Sequence, residues 1–269
     1  MTRYNDERGE AAMDERGEVA MDERGEVAAE ELRVLLWDID GTLLRSTRPG
    51  AFRDYVVPVL ESIFGTTGRI HEMRVSGMTD LQIIGEALSD EGFTAAHVRE
   101  RVEEIRTRFM IEMERVAATE TADNPLFQLL PGAREILERV REQPRYRSSL
   151  LTGNLEPAAH LKLRLVGLSG FFQQLPGAFG DDSHDRRDLP AIAAARINAR
   201  LKHALRPAQF IVIGDTPNDI ACAKHFGARS VAVCTGRFDT QATLAAHKPD
   251  ALLPDLSDTE FVLRTFDAL

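Results

Sequence analysis

A chain of 269 residues with 43% apolar and 28% charged content can bury a full core, as one large domain or two modest ones. No run approaches the roughly 18 apolar residues of a membrane-spanning helix, and the opening MTRYNDERGE lacks the apolar stretch of a secretory signal. The net charge of −10 is concentrated in residues 1–31, where eleven acids face four arginines, so the rest is near neutral and lacks the basic footprint of a nucleic-acid binder.

Residues 5–28 are a tandem octapeptide, NDERGEAA, MDERGEVA, MDERGEVA. A glycine in each unit interrupts helical continuity, and little apolar surface is available to offset chain entropy. Residues 1–31 are therefore predicted to be a disordered acidic tail. From Arg33 onward the pattern is regular. VLLWD (34–38), SSLLTGN (148–154), FIVIGD (210–215) and SVAVCTG (230–236) are short apolar runs with polar or glycine-rich ends, and ALLPDL (251–256) resembles them. Amphipathic segments at 133–142, 156–166, 188–204 and 217–226 fit between them as helices. Such alternation predicts an α/β fold, a doubly wound parallel sheet covered on both faces. In sheets of this kind the functional crevice lies beyond the carboxyl ends of the strands, where Asp38, Thr152 and Asp215 fall.

Residues 46–128 break the alternation and read as an inserted all-helical block, leaving 32–45 and 129–269 as the core. Val98, Val102, Ile105, Phe109, Met113 and Val116 make one apolar stripe along a single long helix. Thr79-Asp80 and Thr94 are expected as helix N-caps. Cys222 and Cys234 show no metal-ligand spacing or disulfide framework and are expected to be small buried groups in a cytoplasmic protein. His71, His160, His184 and His225 have no metal-binding spacing, and Trp37 reads as a packing residue.

The stretch LLWDIDGTLL places Asp38 and Asp40 one residue apart at the end of a buried strand. Two carboxylates so close repel unless something compensates, and a divalent cation would do so. GDTPND supplies Asp215 after another strand and Asp219 one helical turn later. Acids from two strand ends suit Mg²⁺, which takes hard oxygen ligands.

In this order DIDGTLL (38–44), LLTGN (150–154) and GDTPND (214–219) resemble the haloacid dehalogenase superfamily, and specifically its phosphatase branch, of the phosphoglycolate-phosphatase-like kind. The resemblance covers nearly everything after residue 33. It implies a Rossmann-like core and a mechanism through an aspartyl-phosphate. Asp38 would be the nucleophile and Asp40 the general acid and base, its carbonyl also touching the metal. Thr152, Gly153 and Asn154 would hold the phosphoryl oxygens. Asp38, Asp40, Asp215 and Asp219 would form the Mg²⁺ site. The family usually adds a lysine from before the GDTPND strand, yet FGDDSHDRRDLPAIAAA (179–195) contains none. Arg186 is the best match, with Arg187 second, and Lys162 could reach back from the helix after LLTGN. Asp181, Asp182 and Asp185 form a loop acid cluster in the same stretch.

The insertion corresponds to the family's mobile cap, which implies a small phosphorylated metabolite rather than a nucleic acid or a membrane as the partner. Arg48, Arg53 and Arg74 are candidate contacts to an anionic substrate, and SGMTD (76–80) resembles the substrate-facing loop. GRFDTQATL (236–244) would wall the crevice. Asp40 favours phosphate-ester hydrolysis by a monomer or homodimer. A phosphomutase of the β-phosphoglucomutase type and a low-turnover binding protein are the alternatives.

Overall fold

The computed structural model describes residues 28–121 and 123–269, so the octapeptide repeat up to Val27 lies outside the described residues. The chain runs β1 (Arg33–Trp37), β2 (Leu44–Ser46), α1 (Arg53–Phe64), α2 (Asp80–Ala87), α3 (Ala95–Glu100), α4 (Val102–Ala117) and β3 (Phe127–Leu129). It continues through α5 (Ala133–Arg141), β4 (Tyr146–Leu150), α6 (Glu156–Leu165), α7 (Leu189–Leu201), β5 (Phe210–Gly214) and α8 (Pro217–Phe226). The last elements are β6 (Arg229–Val233), α9 (Gln241–Ala246), β7 (Ala251–Leu253) and α10 (Thr259–Asp267). Five strands form a parallel sheet in the order β4-β1-β5-β6-β7.

The central strand shows why its sequence is a continuous apolar run. Val34 and Leu36 pack with Phe210, Val212, Leu189 and Ile197 on one face. Leu35 and Trp37 pack on the other with Ile211, Ile213, Leu137 and Phe266. Both faces are dry, so alternation would leave a polar group buried. Trp37 is a packing residue, edge-on to Phe266 at 6.0 Å, with its indole N–H donating to Ser148 Oγ at 3.2 Å.

The segment between the first and second core strands differs from expectation in two places. Its ends are not helical: β2 and β3 pair antiparallel, Leu44 opposite Leu129 and Ser46 opposite Phe127. At three residues each these strands are too short to show a period, and LRS and FQL look like loop. The apolar stripe also does not run along one helix. The chain breaks at Arg101 (φ −106°, ψ 14°), dividing α3 from α4. The cause is tertiary: Arg101 Nη1 donates to Ile63 O at 2.8 Å and its guanidinium lies over the Phe64 ring, tying the break to the end of α1. The stripe still buries Val98, Ile105, Phe109, Met113 and Val116, while Val102 is only half-buried. Thr79 and Thr94 cap α2 and α3, accepting from Gln82 N and His97 N.

Candidate active site at the carboxyl edge of the sheet

Because β4, β1 and β5 are neighbours, the residues that follow them converge. Asp38 extends β1, its amide donating to Ile213 O at 2.9 Å; Thr152 follows β4 and Asp215 follows β5. All three are buried, as is Asp219. Asp38, Asp215 and Asp219 each offer a carboxylate oxygen within 4.8 Å of the others. Gly41 turns the chain away from the edge at φ +92°, where a Cβ would stand 2.2 Å from Asp215 Oδ2. Both the left-handed backbone and the contact require glycine.

Two cations reach the acids, each serving a different one. Arg186 is buried, with Nη2 at 3.1 Å from Asp38 Oδ1 and 2.5 Å from Asp219 Oδ1. Lys162 is also buried, rather than a solvated helix lysine, and its Nζ donates to Asp40 Oδ2 and Asn154 Oδ1, both at 2.6 Å. Asn154 Nδ2 in turn donates to Asp40 Oδ2 at 2.7 Å and Thr152 Oγ1 at 2.7 Å. Arg187 points away, exposed and paired with Asp185. Arg186 therefore stands beside Asp38, while Lys162 and Asn154 hold Asp40. Lys162→Met is expected to lower kcat about 10²- to 10³-fold with a smaller effect on KM, because Asp40 loses the charged one of its two donors; steady-state kinetics measure the split.

The site carries more negative charge than these cations balance. Burial pushes the Asp38 carboxyl up to about 7, with Arg186 opposing and Asp219 and Asp40 adding repulsion. Burial also raises Asp215 well above the ordinary carboxylate range, reinforced by Asp38 and Asp219. Among the described residues, Asp215 accepts side-chain hydrogen only from Thr42 Oγ1, at 3.5 Å. Asp219 is more fully engaged, accepting from Thr216 N at 3.0 Å and Thr216 Oγ1 at 2.7 Å as well as from Arg186. A buried, under-bonded all-oxygen set with excess negative charge fits a small divalent cation. The loop acids Asp181, Asp182 and Asp185 instead meet Arg106, Arg196 and Arg187.

The helical segment docks on this edge through the loop 77–80. Arg186 Nη1 and Asn218 Nδ2 donate to Gly77 O at 3.4 and 2.8 Å, and Thr79 Oγ1 donates to His184 O at 3.1 Å. Asp80 makes two further bonds to the LLTGN loop: its amide donates to Gly153 O at 2.7 Å, and its Oδ2 accepts from Leu155 N at 2.8 Å at the start of α6. Gly153 permits this approach, since a Cβ there would stand 2.1 Å from Met78 O. From sequence Asp80 reads as part of its own helix cap; its carboxylate caps a different helix, which no local signal could reveal.

Burial raises the Asp80 carboxyl to about 7, against the pull of Lys162 and the Leu155 amide. The native state thus keeps a proton that the unfolded chain releases near 3.8, and stability falls as pH rises from about 4 to 7. Asp80→Asn removes that slope. Relative to wild type, the variant is expected to gain about 2 kcal/mol between pH 5 and pH 8 in chemical denaturation.

A cavity of about 1060 Å³ lies between this segment and the sheet edge, lined by Asp38, Asp40, Thr152, Lys162, Arg186 and Asp215 at its floor. Arg48, Arg53 and Arg74 line it too, although Arg48 pairs with Asp54 and Arg74 with Asp239. Arg237 and Phe238 of the GRFDTQATL stretch form part of its wall. Sequence reasoning missed Arg45 and Tyr55, which also line it; neither stands in a motif.

No described helix is long and apolar enough to cross a membrane. The family model for haloacid dehalogenase-like hydrolases matches residues 35–224, and a HAD-hydrolase-like model matches 190–259. Phosphoglycolate phosphatase from Vibrio vulnificus (strain CMCP6) is 24% identical over 244 residues, covering 85% of this chain and 94% of that protein. Pyrophosphatase PpaX from Anoxybacillus flavithermus is 24% identical over 232 residues, covering 86% and 97%. The crystal structure of a predicted phosphoglycolate phosphatase from Haemophilus somnus 129pt superposes with a TM-score of 0.58 over 87% of this chain and 98% of the other, at 18% identity, a likeness of fold. With three motifs joined at one sheet edge and the family model matching well over half its length, the chain belongs to the haloacid dehalogenase-like hydrolases and is phosphoglycolate-phosphatase-like.

Proposed function

We propose that this chain is a Mg²⁺-dependent phosphomonoesterase that acts on a small phosphorylated metabolite through a phosphorylated Asp38. The carrying observation is the division of labour at the floor: Arg186 beside Asp38, Lys162 and Asn154 on Asp40. Asp38 attacks phosphorus while Asp40 gives a proton to the departing alkoxide. Water then attacks the same phosphorus, Asp40 takes its proton, and inorganic phosphate leaves with Asp38 restored. Both donors to Asp40 use Oδ2, so Oδ1 is the oxygen available to the leaving group. Arg186 balances charge on Asp38 and the transferring phosphoryl group, assisted by Thr152 and the amides of Gly153 and Asn154. Asp38, Asp215 and Asp219, with the Asp40 carbonyl, would hold Mg²⁺, and Asp219 would also fix Arg186. When bound, the ion neutralises the meeting of an anionic nucleophile with an anionic ester. The helical segment over the cavity serves as the cap, excluding bulk water and restricting entry to small esters.

A panel of phosphorylated metabolites assayed with and without Mg²⁺ tests this reading. Metal-dependent phosphate release from at least one ester is expected. Recovery of an isomerised sugar phosphate in place of free phosphate would identify a mutase instead, and binding with no turnover a regulatory protein. Metal affinity adds a pH test. Burial raises the carboxyls of Asp38 and Asp215, so protons would compete with Mg²⁺ for these oxygens. Affinity is expected to rise with pH through about 7, with proton release measurable by calorimetry in buffers of different ionisation enthalpy.

A further inference from the structure

Helix α6 carries Lys162 and follows directly on the 152–154 loop, so the way this helix starts bears on both. Its own sequence does little to start it. Leu155 stands at the N-cap position, where its side chain offers no acceptor to the first-turn amides, and Pro157 has no N–H to satisfy. Two carboxylates from elsewhere in the chain supply the missing acceptors. Asp80 Oδ2, at the start of α2, accepts from Leu155 N at 2.8 Å, and Asp181 Oδ1 accepts from Glu156 N at 3.1 Å. Arg106 of α4 holds Asp181 through Nε at 2.8 Å and reaches Glu156 at 3.3 Å. The start of α6 is therefore fixed by side chains of the helical segment, not by its own cap residue.

Asp80 does more than satisfy one amide. Its own N–H donates to Gly153 O at 2.7 Å, so a single residue grips the loop on both sides of Asn154. Gly180 N holds Asn154 O between those points at 2.7 Å, and a Cβ on Gly180 would stand 1.7 Å from Gly153 O and 3.0 Å from Asp80 N. Asn154 is the residue fixed in this way, and its side chain joins the groups of the floor. It donates to Asp40 Oδ2 and Thr152 Oγ1 and accepts from Lys162 Nζ. Asp80 itself is 4% exposed and makes no hydrogen bond to Asp40 or Lys162.

Resting on the phosphomonoesterase reading, we propose that Asp80 is a positioning residue for the reaction. Through Leu155 N and Gly153 O it sets Asn154 and the start of α6, and through them the orientation of the Asp40 carboxylate that handles the proton. It acts as a hydrogen-bond acceptor and not as a charge, since Leu155 N needs only one oxygen lone pair. Misplacement of a reacting group by about 1 Å costs about 10²-fold in rate, so a residue that touches no substrate can still govern turnover.

The test is a double-mutant cycle on the full chain with Mg²⁺, read with p-nitrophenyl phosphate and with the fastest ester of the metabolite panel. Asp80→Ala is expected to lower kcat about 10- to 100-fold with little change in KM. Asp80→Asn keeps an acceptor for Leu155 N and is expected to stay within about 3-fold of wild type. In a Lys162→Met background, Asp80→Ala is expected to cost less than about 3-fold more, because a group it positions is already gone. A merely structural part would instead give losses that multiply across the two substitutions. Amide exchange separates positioning from folding: Leu155 N–H is expected to exchange faster in Asp80→Ala while the sheet amides stay protected. Asp80→Leu, which lacks the acceptor but fills the space, takes the place of the alanine variant if that one does not fold. Multiplying losses, wild-type kcat without the acceptor, or an asparagine variant as slow as the alanine one would each overturn the inference. Those outcomes, with the wild type active, sink the positioning role alone. Failure of the wild type on every ester sinks the phosphomonoesterase reading and the positioning role with it.

Discussion

Asp38→Asn is expected to reduce kcat at least about 10⁴-fold while raising the thermal midpoint of the metal-free protein. Loss of turnover follows because an amide oxygen is too weak a nucleophile to displace an alkoxide from phosphorus. The gain in stability follows from the same burial that makes the site reactive. Asp38 is 4% exposed and its carboxyl is pushed up to about 7, burial outweighing the attraction of Arg186. Above that pH the native state must keep a buried charge that the unfolded chain solvates freely. Asparagine removes that charge and its repulsion with Asp219 and Asp40, at the cost of a weaker contact to Arg186. At pH 8 the net gain is expected to be about 1–3 kcal/mol, a rise of roughly 2–6 °C for a chain of this size. Near pH 4 wild-type Asp38 is protonated as well, so the two proteins are expected to melt together. Differential scanning calorimetry at both pH values, without and then with Mg²⁺, decides the matter; added metal is expected to favour the wild type. A variant that is inactive but no more stable at pH 8 would show that Asp38 is not held against its charge.

Arg186→Ala is expected to be the most damaging single change in the site. Its guanidinium touches Asp38 and Asp219 and, through the other arm, Gly77 O. Removal leaves Asp38, Asp215 and Asp219 buried together with no cation in contact. Breaking a buried pair by deleting one partner costs about 3–5 kcal/mol, a large share of ordinary domain stability. The expected result is loss of cooperative folding, or a sharply lowered denaturation midpoint, at pH 8. Protonation at pH 5 or saturating Mg²⁺ is expected to restore part of it. Arg186→Lys separates charge from shape. One ammonium can reach the acids but cannot also reach Gly77 O as a planar fork does. That variant is expected to fold with a modestly lowered midpoint and to lose about 10- to 100-fold in kcat/KM. Equal stability of wild type and Arg186→Ala across pH 5–8 would show that the arginine does not offset the acids.

Much of this was legible before any coordinates. The central strands β1 and β5 follow from continuous apolar runs, because a strand dry on both faces has nowhere to place a polar side chain. The edge strand β4, by contrast, carries Arg147, Ser148 and Ser149. Asp38, Thr152 and Asp215 were readable as one cluster because each ends such a run, and the strands lie side by side. Helix caps at Thr79 and Thr94 were equally local, set by a hydroxyl that reaches an amide three residues on. The terminal helix α10 also carried a signal that went unused: Asp258 accepts from Phe261 N, and Val262, Leu263 and Phe266 supply its buried face.

The remainder depended on contacts between distant segments. Which cation serves which acid could not be read from a stretch lacking lysine. Lys162 and Arg186 sit on separate helical turns, and only the fold directs one to Asp40 and the other to Asp38. Asp80 looks like a surface cap yet is buried against α6, because the segment that carries it closes over the sheet edge. The break at Arg101 has no glycine or proline to announce it and exists because the end of α1 accepts its side chain. Arg45 and Arg237 are ordinary charges in the sequence and come to donate to Thr235 O and Ser46 O only because β2 meets the loop after β6. Periodicity and capping depend on neighbours within a few residues, so the chain alone determined most of its parallel strands, most of its helices and its acid triad. Charge pairing depends on distance through space, so the partners of those acids and the character of the cavity wall were decided by tertiary packing.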